Sequence, residues 1–398
     1  MRTFKINSMK RSIQICAVVF ISLGLISCEH EMYDMEENEE SLAMRNKGDY
    51  GPFEFPGTVF DIASAPDGSI FVGLNEGQSR SVQSIKNGKV SSIMKVNSTS
   101  DINGLAPIGA GNIFLSTAGA DRALEGELYR VSRGNSRMVA DLAAFEREFS
   151  PDALAGPQWK NQLCEGIDGF TPGPQNNPYK VAARSGNTAI VADAAGNTVL
   201  SATTNGNIDW LAILTPPVDE TGEWIVRWDT EDETGESIPC YVQPVPTAVA
   251  IGPDGYIYVG ELTGTMSDED GTFPIGLSRV WKISPDANNV VCSQTDPSAD
   301  CELLIDGLTS VIDLEISPDG LLYVVEFDKS SWFASLIPGI ASGGVISSYD
   351  LSGNLVEEVA SNLSFPSAIA FDKIGNLWVL ENNDIGISDL KPTVRVLD

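Results

Sequence analysis

Four carboxylates stand at one fixed place in a recurring stretch of this chain. Asp193, Glu261, Glu326 and Glu381 each follow a turn glycine or asparagine by six residues; the two earlier equivalents are Leu74, with Asn75 beside it, and Thr117. Hard oxygen ligands gathered on one rim suit Ca²⁺. A divalent ion held there could activate water for attack on a lactone or ester. Without a cation, water or basic residues to share the site, four like charges repel. The competing account is structural, each carboxylate capping backbone N–H groups of the next loop. A second column, seven before the turn residue, reads Asp61, Gly104, Lys180, Ala248, Asp313 and Ala368. Lys180 between Asp61 and Asp313 would form a charge network inside a channel, either facing a ligand or only satisfying itself. Histidine-based catalysis has little to work with, since His30 is the single histidine. No nucleophile–base pair is evident, so no catalytic residue is nominated.

These positions only make sense on a repeated hairpin. Thr247 to Glu261 shows it best: an apolar run, Pro253-Asp254-Gly255, then a β-branched and aromatic run. Asp-Gly is a hairpin turn signal, read here as two positive-φ residues. The unit recurs over Ile62–Leu74, Leu105–Thr117, Val181–Asp193, Leu314–Glu326 and Ile369–Glu381. The turn residues 68, 111, 187, 255, 320 and 375 lie 43 to 76 residues apart. A four-stranded propeller blade needs about 40–45 residues, which leaves room for loops. Thr198–Ala202, Arg279–Ile283 and Gly344–Tyr349 are candidate third strands. The pattern predicts an all-β, six-bladed β-propeller with long inter-strand insertions over residues 51–398. Five before the turn the column is Ala63, Ala106, Ala182, Ala250, Glu315 and Ala370, which is explained as crowding around a central hole. Blade six is one strand short, so Pro52–Pro56 is expected to supply it and close the ring. The insertions 120–175, 205–244 and 328–344 carry a helix expected at Met138–Phe149 and the aromatics Trp210, Trp224, Trp228, Trp332 and Phe333. Those rings either line a groove or anchor their loops.

Lys+Arg number 25 against 55 Asp+Glu, a net charge of −30. Such a surface repels phosphate, which excludes nucleic acid as a partner. The N-terminus is an address. Arg2, Lys5, Lys10 and Arg11 precede an apolar run over residues 13–26, too short to span a bilayer comfortably. Leu25-Ile26-Ser27-Cys28 resembles the lipobox of bacterial lipoproteins, which implies cleavage after residue 27 and lipidation of Cys28. Loss of those four basic residues takes the charge from −30 to −34. Residues 28–50 are acidic and poor in apolar side chains, and read as a tether. The expected location is the bacterial cell envelope, anchored by lipid in the outer membrane, with the acidic start of the tether pointing to the surface. Cys164, Cys240, Cys292 and Cys301 remain in the mature chain. An even number in an exported protein suggests disulfides: Cys292–Cys301 as the local pair and Cys164–Cys240 by elimination, against four unpaired buried thiols. With no C-x-x-C and no histidine near them, a zinc site is not expected.

Asn177-Pro178-Tyr179 with residues 191–197, the run from Val245 to Gly264 containing Val259-Gly-Glu-Leu-Thr-Gly264, and the stretches 308–326 and 365–382 resemble the ScyD/ScyE family of exported β-propellers. The likeness covers roughly Asn177–Asp398 and is interrupted by residues 265–272. It implies a six-bladed propeller and export, and it names no reaction. The leading expectation is a lipid-anchored, non-enzymatic module that binds a glycan, a small molecule or a protein. The alternative is a metal-dependent hydrolase resembling gluconolactonases, with Asp193, Glu261, Glu326 and Glu381 around Ca²⁺.

Overall fold

The computed structural model describes residues 50–398, except 110, 156–173, 232–233, 236, 265–272, 334–336, 338, 383–389 and 398. The leader, Cys28, nearly all of the acidic tether and Cys164 therefore lie outside the described residues. Six antiparallel four-stranded blades follow one another. The first strand, β1 (Phe53–Glu54), belongs to the last of them. Blade 1 is β2 (Thr58–Ser64), β3 (Ile70–Glu76), β4 (Ser79–Lys86) and β5 (Lys89–Val96). Blade 2 is β6 (Asp101–Gly109), β7 (Asn112–Ala118), β8 (Gly126–Ser132) and β9 (Asn135–Asp141), followed by helix α1 (Leu142–Phe149). Blade 3 is β10 (Pro178–Ala183), β11 (Thr188–Asp193), β12 (Thr198–Thr203) and β13 (Ile208–Leu214). A separate hairpin, β14 (Val226–Glu231) and β15 (Ser237–Tyr241), precedes blade 4. Blade 4 is β16 (Pro246–Ile251), β17 (Ile257–Glu261), β18 (Ser278–Ile283) and β20 (Cys301–Leu308); β19 (Val290–Cys292) leaves it to pair in parallel with β13. Blade 5 is β21 (Val311–Ile316), β22 (Leu322–Glu326), β23 (Gly344–Tyr349) and β24 (Leu355–Leu363). Blade 6 is β25 (Ala368–Phe371), β26 (Leu377–Glu381), β27 (Thr393–Val396) and, as its outer strand, β1.

The ring thus closes as the short last blade demanded: Phe53 pairs with Val394 and Glu54 with Thr393. Phe55 is buried in the cluster that joins blade 6 to blade 1. Six such clusters occur, one between each pair of neighbouring blades. Burial of these apolar faces is what makes each blade depend on its neighbours.

Three sequence-based details are corrected. First, in the Pro-Asp-Gly turns only the glycine has positive φ, 81° at Gly68 and 87° at Gly320. The Gly68 N–H bonds to Ala65 O and the Ala65 N–H to Ser69 O. This is a three-residue loop closed by a left-handed glycine, not a two-residue turn with both φ positive. Second, the alanine column does not owe its small size to the hole. Each alanine sits opposite a large residue of the next strand: Ala63 with Phe71, Ala106 with Phe114, Ala182 with Ile190, Ala250 with Tyr258, Ala370 with Trp378. Every such pair packs in the cluster shared with the following blade. The small residue makes room for its cross-strand neighbour. Met138–Asp141 also differs, being the end of β9; the helix starts only after Asp141, whose carboxylate accepts from the Ala144 N–H and caps it.

Cys292 and Cys301 form a disulfide, joining β19, which extends blade 3, to the outer strand of blade 4. Cys240 is also disulfide-bonded, and its expected partner Cys164 lies outside the described residues.

Candidate functional site

The antiparallel order sorts the loops by face. First and third strands start, and second and fourth strands end, on one face, here called the mouth face. All the long insertions open there: 119–125, 142–177, 215–245, 262–277, 327–343 and 382–392. The opposite face carries short turns, with 284–300 as the exception. Loop length on one face of a rigid scaffold is where a propeller places its specificity.

At this end of the blades the predicted rim residues are all buried: Asn75, Asp193, Glu261, Glu326 and Glu381. They hold individual partners and do not converge. Asn75 bonds both the N–H and the carbonyl of Ile102 in the next blade, at 2.8 and 3.1 Å. The Asp193 Oδ1 accepts from the N–H groups of Asn177 (2.6 Å) and Gly196 (3.1 Å). One oxygen of Glu326 accepts from the Thr309 N–H at 2.6 Å, and both face the Lys329 ammonium at 2.9 and 3.1 Å. Glu381 accepts from the Ser364 N–H at 3.1 Å and from Arg395 Nε at 2.6 Å. Backbone capping is therefore the shared role, but the capped loop mostly precedes the carboxylate's own blade and does not follow it.

Glu261 breaks this pattern for a covalent reason. Residues 309 and 364 lie 17 positions before Glu326 and Glu381; 17 before Glu261 stands Pro244, which has no N–H to offer. Glu261 turns instead to the third strand of its blade. It pairs with Arg279 and accepts from Trp281 Nε1 at 3.1 Å, while the same guanidinium reaches Gln294 and the Thr215 carbonyl. Burial pushes the Glu261 carboxyl up to about 7, with Arg279 pulling it back. Among the described residues no three Asp, Glu, His or Cys side chains come together.

The charges of the second column do meet. Lys180 pairs with Asp61 and, at 2.7 Å, with Asp313. These three come from blades 1, 3 and 5, while blades 2, 4 and 6 present Gly104, Ala248 and Ala368, too small to intrude. A side chain on Gly104 would strike Lys180 and Val181 backbone within 3.1 Å. Each aspartate also stitches its blade to the next. Asp61 accepts from the Leu105 N–H (2.7 Å) and Asp313 from the Ile369 N–H (2.8 Å). The strand register slips at the start of each first strand in blades 1 to 5. Such bulges re-aim side chains and turn this column toward the axis. Burial raises Asp61 to about 7 against the pull of Lys180, and burial raises Asp313 as well. Burial lowers the Lys180 ammonium, but Asp313 and Asp61 outweigh it and hold it above its ordinary value.

Glu315, the lone exception in the alanine column, lies near this network. Burial, then Asp313, push it up to about 8. Its signal in the sequence is that it alone breaks the alanine column. Also missed were Arg279, and Glu146 on α1, whose contact with blade 3 no local motif announces.

The aromatic insertions anchor their loops. Trp224 packs edge-on against Tyr241 at 5.2 Å, Trp332 lies 3.8 Å from Phe333, and Phe333 is buried. Trp210 is on β13 and packs in the cluster between blades 2 and 3.

No family model matches the chain, and no curated protein does. Solved structures do. A protein assigned as an oxidoreductase (glucose dehydrogenase) from Thermus thermophilus is 15% identical, with a TM-score of 0.50, covering 88% of this chain and 99% of its own. A Bacteroides thetaiotaomicron protein of unknown function is 12% identical with a TM-score of 0.50, covering 89% and 73%. A gluconolactonase from Xanthomonas campestris is 12% identical with a TM-score of 0.46, covering 88% of each. At such identities the likeness is one of architecture, and the chain is a six-bladed β-propeller.

Proposed function

We propose that this protein is a lipid-anchored propeller of the bacterial cell envelope, ScyD/ScyE-like, that binds a glycan, a small molecule or a protein through its mouth face and performs no chemistry. The observation that carries this reading is where large apolar side chains are exposed. Leu124, Phe149, Leu154, Val226, Ile275, Ile337, Ile340 and Leu390 lie on mouth-face insertions; toward the opposite face the exposed ones among the described residues are Ile374 in a turn and Val90, Leu355 and Val356 at the starts of outer strands, with Ile93 and Met138 along outer strands. Apolar exposure concentrated on one loop-rich face marks an interaction surface. A cleft of about 190 Å³ lies on the same face beside Asp328, Gly343, Leu363 and Phe365. The engagement of Glu261, Glu326 and Glu381 by fixed partners supports the absence of a reaction. The anchor rests on the basic–apolar–Cys28 pattern.

The test has two arms. Expressed with its leader, the wild type takes up labelled palmitate and Cys28→Ala does not. On an array of envelope glycans and proteins the purified protein retains a ligand, and Ile275→Asp with Ile337→Asp weakens it at least tenfold without lowering Tm. Unlabelled wild type refutes the anchor; binding indifferent to both substitutions refutes the face.

A further inference from the structure

Where α1 meets blade 3, three buried oxygens have no hydrogen-bond partner: Glu146 Oε2 on the helix, Asp193 Oδ2 at the end of β11, and Thr198 Oγ1 at the start of β12. Each residue is at most 1% exposed. The three groups converge. A Cβ placed on Gly196 would stand 3.2 Å from Glu146 Oε2, 3.2 Å from Thr198 Oγ1 and 3.3 Å from Asp193 Cγ. Glycine at 196 keeps that space open. The other Asp193 oxygen is pinned by the N–H groups of Asn177 and Gly196, which fixes the direction of Oδ2.

Buried polar atoms are almost always satisfied, and leaving one unpaired is costly. Three on residues gathered around one glycine, two of them carboxylates, demand an explanation. The neighbouring charges do not supply it. Asp152 adds negative potential at Glu146, and Arg122, itself partly desolvated, attracts Asp193 but is the weakest of the influences on it. Burial and then Asp193 push Glu146 up to about 9, and burial raises Asp193 to about 6. A proton on Glu146 would settle one contact and leave the Thr198 hydroxyl unanswered. A divalent cation answers all three oxygens and balances the two negative charges. The donor set is hard oxygen throughout, in a cramped and irregular setting. That favours Ca²⁺ over Mg²⁺, which demands a near-ideal octahedron and gives up water reluctantly.

We infer that Glu146, Asp193 and Thr198 form a Ca²⁺ site that ties α1, the root of the 142–177 insertion, to the β11–β12 turn of blade 3. This site lies beside the rim, uses only one of the four carboxylates singled out above, and does not depend on what the mouth face binds. The experiment is Ca²⁺ titration of the EDTA-treated full chain by calorimetry and by thermal unfolding. With a dissociation constant of about 0.1 mM, in the range of extracellular Ca²⁺ modules, 10 mM Ca²⁺ raises Tm by about 4 °C for a chain of this size. Glu146→Gln and Thr198→Val abolish the shift, Thr198→Ser keeps it, and Glu326→Gln keeps it. No heat and no shift up to 10 mM in the wild type overturns the inference, as does a shift that survives both Glu146→Gln and Thr198→Val. A Ca²⁺-insensitive wild type stabilised by Glu146→Gln identifies a shared proton instead. Should the variants fail to fold, the wild-type calorimetry and Thr198→Ser still decide.

Discussion

Replacing Lys180 with methionine removes the ammonium from between Asp61 and Asp313 and leaves the two carboxylates facing each other inside the channel. Lys180 has 8% of its side chain exposed and both aspartates 0%, so solvent cannot take over. Breaking a buried ion pair by deleting one partner costs about 3–5 kcal/mol. With an unfolding entropy of about 2.1 cal/mol/K per residue and ~350 folded residues, that is a fall in Tm of about 4–7 °C at pH 7.5. The deficit has a definite pH sign. Without Lys180 both aspartates have folded pKa values raised further above the unfolded value of 3.8. Stability from such groups is complete below the unfolded pKa and is lost as pH rises through the folded one. The deficit therefore shrinks as pH falls from 8 toward 5. Adding Asp61→Asn and Asp313→Asn to Lys180→Met removes the stranded charges, keeps acceptors for the Leu105 and Ile369 N–H groups, and recovers most of the loss. Differential scanning fluorimetry over that pH range reads all of this. A Lys180→Met protein within about 1 °C of wild type at pH 7.5, or one whose deficit widens in acid, refutes the reasoning.

Three further outcomes follow from the same geometry. The wild type carries Asp193 near 6, Asp61 and Glu261 near 7 and Glu315 near 8, all above their unfolded values, so Tm is higher at pH 5.5 than at pH 9 in EDTA; a flat or opposite profile contradicts those environments. Glu261→Gln strands the fully buried Arg279 and costs about 3–5 kcal/mol in urea unfolding, whereas Glu381→Gln, whose partner Arg395 is 31% exposed, costs about 1 kcal/mol or less; equal losses would deny the distinction. Cys292→Ala with Cys301→Ala opens a loop closed over nine residues of separation and lowers stability by about 2–3 kcal/mol, an effect that reduction of the wild type should reproduce in part.

The repeat was legible because a propeller writes the same hairpin six times, and a turn of fixed length aligns every copy. Third strands at 198, 279 and 344 came within one residue of their observed starts, and the closing strand followed from counting. Lys180, Asp61 and Asp313 could be grouped because equivalent positions of a ring share one axis. The alanine column misled for a physical reason. Its small size answers a cross-strand neighbour such as Phe114 or Trp378, and that pairing appears only when strands one and two are read together. Glu261 could have been told apart from Glu326 and Glu381 by Pro244, a signal that was present and not used. Glu146 could not. Its meeting with Asp193 and Thr198 depends on how one insertion folds back, and no period in the chain encodes that.

The proposed function makes the mouth carboxylates fasteners and not catalysts. Hydrolysis of a panel of lactones and aryl esters, followed with Ca²⁺, Mg²⁺ or Zn²⁺ added in turn, measures this directly. The expected result is no rate above the uncatalysed background with any ion, for wild type and for Glu326→Gln and Glu381→Gln alike. Metal-dependent turnover that drops by about a hundredfold in either variant while Tm is preserved would contradict it.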